Sequence, residues 1–417
     1  MLFNYLRQSI RSLVRNKIIT GINILGLGIG VSAALVIYLI VQYDYSFDHY
    51  EANGKQIYRL ITHGESWDNA GVPVPEIRSL GAVAGIEKSA LFLGMNDNGT
   101  KVVVPRTNGK EQQVFKNQDK FVYTDGNYFS IFPHQWLAGG PDVSLKNPNG
   151  MVLSESLVRL YFPGLSPDQV LGKTVTVDDS ILMQVAGVVR NLDAKTDFDH
   201  EAFLSLSTIA ASQGLKDQYQ WDEWGSINSV NQILLRLSPN VTPAKVERQI
   251  AAIYKAHTDA SWKQSPGLQP LSDIHFNEKL EGKASKSTLF ALSLLALFIL
   301  LLGSINFINL STAQASERAK EVGMRKILGS SKGQLIARYL SETILLTLVA
   351  TIFSLLIAPL LIKGFSDFMP AGLDAGRILQ PHVLGFLLAL ILVVGILSGI
   401  YPALVLTHIK PLSATRN

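Results

Sequence analysis

Cysteine is absent from the 417 residues, which excludes disulfides, thiolate nucleophiles and cysteine-ligated metals. Charge is scarce, at 17% of residues, and four stretches carry no Asp, Glu, Lys or Arg at all: 18–43, 287–316, 343–362 and 378–409. Each holds at least twenty residues, enough for a helix of roughly 30 Å, about one hydrocarbon core. Four such runs predict four membrane spans. The first has a basic leader, but it is too long for a signal peptide and no small-residue cleavage site closes it, so it reads as a retained anchor.

A nucleotide-binding loop is lacking as well. Gly172-Lys173-Thr174 imitates the end of G-x-x-x-x-G-K-[ST], but Pro167 occupies the first glycine position and a β-branched run follows where a helix should. The chain has no ATP site of its own in this reading and is not an enzyme. His200-Glu201 starts like the zinc-protease helix, yet Leu204 stands where the second His belongs. Asp197, Asp199 and His200 are the remaining cation candidates, against the ordinary reading of a solvated turn. No catalytic residue, metal site or cofactor emerges.

What charge there is, is unevenly placed. Arg7, Arg11, Arg15 and Lys17 precede the first run with no acid among them. Arg318, Lys320, Arg325, Lys326, Lys332 and Arg338 lie between the second and third, and Lys410 and Arg416 follow the fourth. The positive-inside rule puts these segments, and both termini, in the cytoplasm. Residues 44–286 hold 23 Lys and Arg against 28 Asp and Glu, and the rest of the chain 14 against 5. The sequence pI near 9.0 therefore reflects membrane topology, and no aromatic-basic module points to nucleic acid.

The predicted fold is an α-helical membrane protein with four transmembrane helices and a large α+β extracytoplasmic (periplasmic) domain inserted between helices 1 and 2. The divisions are a leader (1–17), helix 1 (18–43), the periplasmic domain (44–286), helix 2 (287–312), a cytoplasmic loop (313–338), helix 3 (339–363), a periplasmic loop (364–381), helix 4 (382–407) and a tail (408–417). Inside the large domain, 55–62, 100–105, 173–177, 181–189 and 231–237 are β-branched runs bounded by turn residues and read as strands. Residues 154–162 and 242–257 have helical spacing, the second with Thr242 as N-cap and Pro243 at the first helical position. Two subdomains are one way to divide it. Trp221 and Trp224 read by default as packing residues.

In the first run Gly26 and Gly30 form a G-x-x-x-G pair, which lets a neighbouring helix approach closely. The plain reading is packing within the chain, and a dimer seam is the alternative. Asn306 and Asn309 share a face of the second run and find partners across helices or line a polar path.

The segment "ERAKEVGMRKILGSSKGQ" (317–334) stands apart. Glu321 and Arg325 are an i,i+4 pair in the favourable order, Gly329 suits a helix C-terminus, and Ser331 with Gln334 forms a capping box. The short helix "MRKIL" between them is too small to hold itself on propensity and needs a surface, either a protein partner or anionic headgroups.

This stretch resembles the cytoplasmic coupling loop of MacB/FtsX-type permeases of the ABC superfamily. "NILGLGIGVS", "MVLSESLVRLYFPG", "LGKTVTV", "VAGVVRN", "LQPLSDIHF" and "SGIYPALVLTHIKPLSA" agree, so the resemblance covers essentially the whole chain. It implies an ABC ATPase on a separate subunit, contacted by Glu317, Arg318, Lys320, Glu321, Gly323, Met324, Arg325, Lys326, Ile327, Leu328 and Gly329. The second helix, lengthened into a stalk, would relay ATPase motion to the outer domain. The implied function is export or extraction of a peptide, lipoprotein or small toxic compound across the bacterial inner membrane. Alternatives are a transport-inactive regulator of a periplasmic enzyme such as a cell-wall hydrolase, and a non-ABC membrane sensor. The motifs resemble the first half of tandem permeases, which implies a homodimer, a second permease half or a shortened product. A periplasmic or outer-membrane partner completes the implied assembly.

Overall fold

The computed structural model describes residues 9–11, 13–15, 17–48, 54–95, 99–105, 112–313, 322–324, 326–370 and 372–408. The chain divides into two compact units, Ser46–Ser285 and Met1–Tyr45 with Lys286–Asn417. Helix α1 (Lys17–Tyr45) opens the second of these.

The Ser46–Ser285 unit is built on one thirteen-stranded sheet, not on two subdomains. β1 (Ile57–His63), β2 (Asp68–Asn69), β3 (Ile86–Gly94) and β4 (Thr100–Val104) come first. β5 (Gln113–Gln118), β6 (Phe121–Thr124), β7 (Trp136–Ala138) and β8 (Gly150–Ser154) lead to helix α2 (Glu155–Tyr161). β9 (Thr174–Val177), β10 (Ile181–Val189), β11 (Ala202–Ser205) and β12 (Asn231–Leu237) precede helix α3 (Pro243–His257), and β13 (Ser265–Pro270) closes the sheet. The order is β13-β1-β12-β3-β6-β11-β8-β10-β9-β4-β5, with β2 beside β1 and β7 beside β10. β8–β10 and β6–β11 run parallel, and the other pairs are antiparallel.

Strand alternation divides the core between the two faces. Leu91, Leu93, Ile233, Leu235 and Tyr123 point to one face, where Leu157 and Val158 of α2 and Val246 and Ile250 of α3 cover them. Ala90, Phe92, Leu234 and Val122 point to the other, which is filled by rings: Tyr128, Phe129, Phe132, Phe198 and Phe203. Helix α2 starts where its sequence says it should, because the Ser154 hydroxyl accepts the Leu157 amide.

Three more long helices complete the other unit: α4 (Lys286–Ala313), α5 (Lys332–Gly364) and α6 (Pro381–His408). All four are long and apolar enough to cross a membrane. Helix α1 packs against α4 and α5, α5 against α6, and α4 against α6. The apolar window of α1 is 56% buried and that of α4 only 11%, so α1 lies inside the bundle and α4 at its margin.

Candidate functional site: the turn before α5 and the outer face of α4

Residues 322–324 and 326–327 are helical. The Leu328 amide donates to the Met324 carbonyl at 3.0 Å and the Gly329 amide to the Lys326 carbonyl at 3.1 Å. Gly329 then takes φ +90°, a left-handed conformation that glycine adopts without steric cost and that ends the helical turn. Two residues on, the capping box forms: the Gln334 amide donates to Ser331 Oγ at 3.3 Å, and the Ser331 amide to Gln334 Oε1 at 3.0 Å. Helix α5 therefore starts cleanly.

The side chains of this turn sort by direction. Val322 is 3% exposed, whereas Met324, Ile327 and Leu328 are 61%, 65% and 83% exposed. Spacing of i, i+3 and i+4 puts those three on one helix face, so an apolar face stands open at the end of an otherwise polar loop. Lys326 has another task. Its Nζ donates to the Thr407 carbonyl at 2.7 Å, near the C-terminus of α6, where unsatisfied carbonyls and the helix dipole both favour a cation. Sequence reasoning put Lys326 in the contact rim with no hint of this anchor 81 positions away. Glu317, Arg318, Lys320, Glu321 and Arg325 lie outside the described residues.

On α1, three glycines face two neighbours. A Cβ on Gly26 would lie 3.4 Å from Asn306 Nδ2, and one on Gly30 would lie 3.3 Å from the Ile299 carbonyl, both on α4. A Cβ on Gly28 would meet Phe353 of α5 at 2.6 Å. Gly303 of α4 approaches the Gly26 carbonyl in return, at 3.3 Å from its own would-be Cβ. Asn306 and Asn309 are both exposed. With Leu302, which is 51% exposed, they follow one another at i, i+4 and i+7. Phe290, Leu294, Leu297, Leu301 and Ile305 are also exposed on this helix.

The cation candidates of the sheet unit diverge. Asp197 turns to His275 Nδ1 at 2.9 Å and Lys283 Nζ at 3.2 Å. Burial pushes its pKa up, but the His275 hydrogen bond and the neighbouring positive charges outweigh that and hold it below the usual value. Asp199 pairs with Lys120 at 3.1 Å. His200 sits among Phe92, Tyr128 and Phe203, and burial lowers its pKa to about 4. Gly172-Lys173 leads into β9. Trp224 stacks on His257 at 4.3 Å, and Arg78 lies over Trp221. A residue missed from sequence is Glu76, 1% exposed, both of whose carboxylate oxygens lack a partner among the described residues. Desolvation raises its pKa to about 8.

Comparison with known proteins matches this architecture in two parts. The MacB-like periplasmic core domain corresponds to residues 20–253 and the FtsX-like permease C-terminal domain to residues 293–411. The Macrolide export ATP-binding/permease protein MacB of Marinobacter nauticus is 22% identical over 422 residues, covering 98% of this chain and 60% of that protein. The Pyoverdine export ATP-binding/permease protein PvdT of Pseudomonas syringae pv. syringae is also 22% identical over 422 residues, covering 99% and 59%. The chain thus spans about 60% of the length of these two relatives. The crystal structure of the periplasmic region of MacB from Actinobacillus actinomycetemcomitans aligns with a TM-score of 0.36 at 16% identity, covering 53% of this chain and 90% of that one. Four long apolar helices, a sheet domain between the first and second of them, and two domain matches that together take in most of the sequence place this chain among the MacB/FtsX-type ABC permeases.

Proposed function

We propose that this chain is the permease subunit of an ABC transporter and that its turn at 322–329 receives a separate cytoplasmic ATPase. The open apolar face of Met324, Ile327 and Leu328 carries the reading, because a short helix presenting apolar anchors is what a groove on a partner protein accepts. Lys326, fixed to the end of α6, makes the turn stiff enough to pass a push on to two helices at once. ATP-driven movement of the turn then reaches the sheet domain through the spans and powers export or extraction of a peptide, lipoprotein or small toxic compound. The basic segments and both termini lie in the cytoplasm of this arrangement and the sheet domain in the periplasm.

Among the described residues one such turn is present, and α4 leaves its outer face open. Exposed amide side chains on a membrane helix are costly, so a second copy or a second permease half covers Asn309 and the exposed part of Asn306. A periplasmic or outer-membrane partner would receive the cargo.

The test is purification of the tagged chain from its native membranes in gentle detergent, with mass spectrometry of what accompanies it. Ile327→Glu with Leu328→Glu is the variant of choice, because both side chains project outward and neither anchors the fold. An ATPase is expected with the wild type and not with the variant, at unchanged thermal stability. An ATPase retained in full by the variant would remove this turn from the interface.

A further inference from the structure

The chain crosses between its two units twice, after Tyr45 and before Lys286. Within the sheet unit, both crossing segments close on the same short loop, 195–198, between β10 and β11. From the first crossing, the Asp48 amide donates to the Lys195 carbonyl at 2.8 Å. From the second, His275 Nδ1 hydrogen-bonds Asp197 Oδ2 at 2.9 Å, and Lys283 Nζ lies 3.2 Å from Oδ1 as an ion pair. The two crossings also hold each other, since the Phe47 and His275 rings stack with centroids 3.7 Å apart. The His275 and Asp197 side chains are 4% and 11% exposed, so this hydrogen-bonded pair is shielded from solvent and its rupture would strand a buried carboxylate.

The loop leads inward as firmly as it is held outward. The Phe198 amide donates to Thr196 Oγ1 at 3.2 Å, and the Tyr128 hydroxyl donates to the Phe198 carbonyl at 3.2 Å. The Phe198 ring packs on Phe132 and Phe92. Four residues later, β11 pairs with β6 on one side and β8 on the other. A separate hold lies between His275 and Lys283 on the second crossing, where Arg59 Nη2 donates to the Leu280 carbonyl at 2.9 Å. That hold reaches β1, not the centre of the sheet.

We infer that Asp197 is a positioning residue which clamps the crossing into α4 to the central strand β11, so that movement at the start of α4 is delivered to the middle of the sheet. The inference rests on the ATPase-driven motion proposed above and says where that motion enters the periplasmic domain. A clamp of this kind is built from charge and can be opened without removing a core side chain. Asp197→Asn keeps the size of the group and its capacity to accept a hydrogen bond, but removes the charge that holds Lys283.

The absence of native cysteine makes the complementary experiment clean. Asp197→Cys with Lys283→Cys can be bridged by a short, reducible bis-methanethiosulfonate and released again by reductant. The measurement is amide hydrogen exchange of the full chain with its co-purified ATPase in lipid nanodiscs, with and without ATP plus vanadate. In the wild type, nucleotide changes exchange at 202–205. In Asp197→Asn that response is lost, while ATP hydrolysis and nucleotide-free protection at β8 and β10 persist. In the double-cysteine variant the response is present when bridged and lost after reduction. A stability effect alone would alter protection equally with and without nucleotide. A nucleotide response at 202–205 that survives in Asp197→Asn or in the reduced double-cysteine variant would overturn the clamp and leave the ATPase reading standing. Absence of any ATPase from the wild-type complex would overturn both.

Discussion

The two units of this permease pack by opposite means. In the helical unit, contact is made where side chains are missing: Gly28 and Gly30 on α1 and Gly303 on α4 bring backbones and neighbours together at distances a Cβ would not tolerate or would crowd. In the sheet unit, contact is made where side chains are largest. Tyr128 alone has Phe203, Phe92, Phe129 and Phe132 at centroid distances of 4.8, 5.1, 5.1 and 5.5 Å. The difference follows from the solvent. Lipid gives helices no hydrophobic reward for meeting, so close van der Waals approach is what holds them. Water rewards burial of area, and aromatic rings supply the most area per residue.

The comparison is broken most severely by removing a ring. Phe203→Ala should cost about 3–5 kcal/mol, read by thermal unfolding of the sheet unit, with the helical unit unchanged. Filling a glycine tests the other side. Gly30→Leu should destabilise the helical unit by about 1–3 kcal/mol, seen as loss of the folded fraction in detergent titration, while Leu301→Ala on the open face of α4 does little in an isolated copy. If Gly30→Leu were neutral, close approach would not be what holds α1 to α4.

Glu76 sharpens the contrast in a different way, since it is a buried polar group with no carboxylate partner among the described residues. Its pKa is raised from 4.5 to about 8, so the folded domain binds a proton that the unfolded chain releases between those values. Stability contributed by the neutral form is complete below the unfolded pKa and falls as pH rises through the folded one, at no more than about 1.4 kcal/mol per pH unit. The sheet unit should unfold at lower temperature at pH 8 than at pH 5, and Glu76→Gln should flatten that slope. A slope unchanged in Glu76→Gln would assign it to other groups. The smallest effect expected is that of Ser331→Ala, about 1 kcal/mol from the lost cap of α5, measured by amide exchange in its first turn.

Much of the fold was legible because its signals are local. Absence of charge over twenty residues marks a span, and "TVTV" or "NQILLRL" marks a strand, whatever the tertiary context. β3 escaped because "IEKSALFLG" begins with a polar run that lacks period-two alternation. β8 and β11 escaped because "GMVLS" and "AFLS" are short and buried on both faces, which leaves no pattern to read. At the candidate site, the capping box and the glycine that ends the turn could be read from spacing, since their partners lie within a few residues. The bond from Lys326 to Thr407, the fit of Asn306 over Gly26, and the grip of His275 on Asp197 join residues far apart in sequence. Such pairs have no signature in one chain.

The two ends of the main strand path limit how another chain can extend it. One margin is β13, whose Pro266 and Pro270 have no N–H to offer an incoming strand. The other is β5, where Lys116 is exposed and Asn117 takes φ +54°, a kink that spoils a straight hydrogen-bonding edge. Neither margin invites a foreign backbone to extend the ladder. An extended segment laid along either end would therefore have to be recognised by its side chains rather than by its backbone.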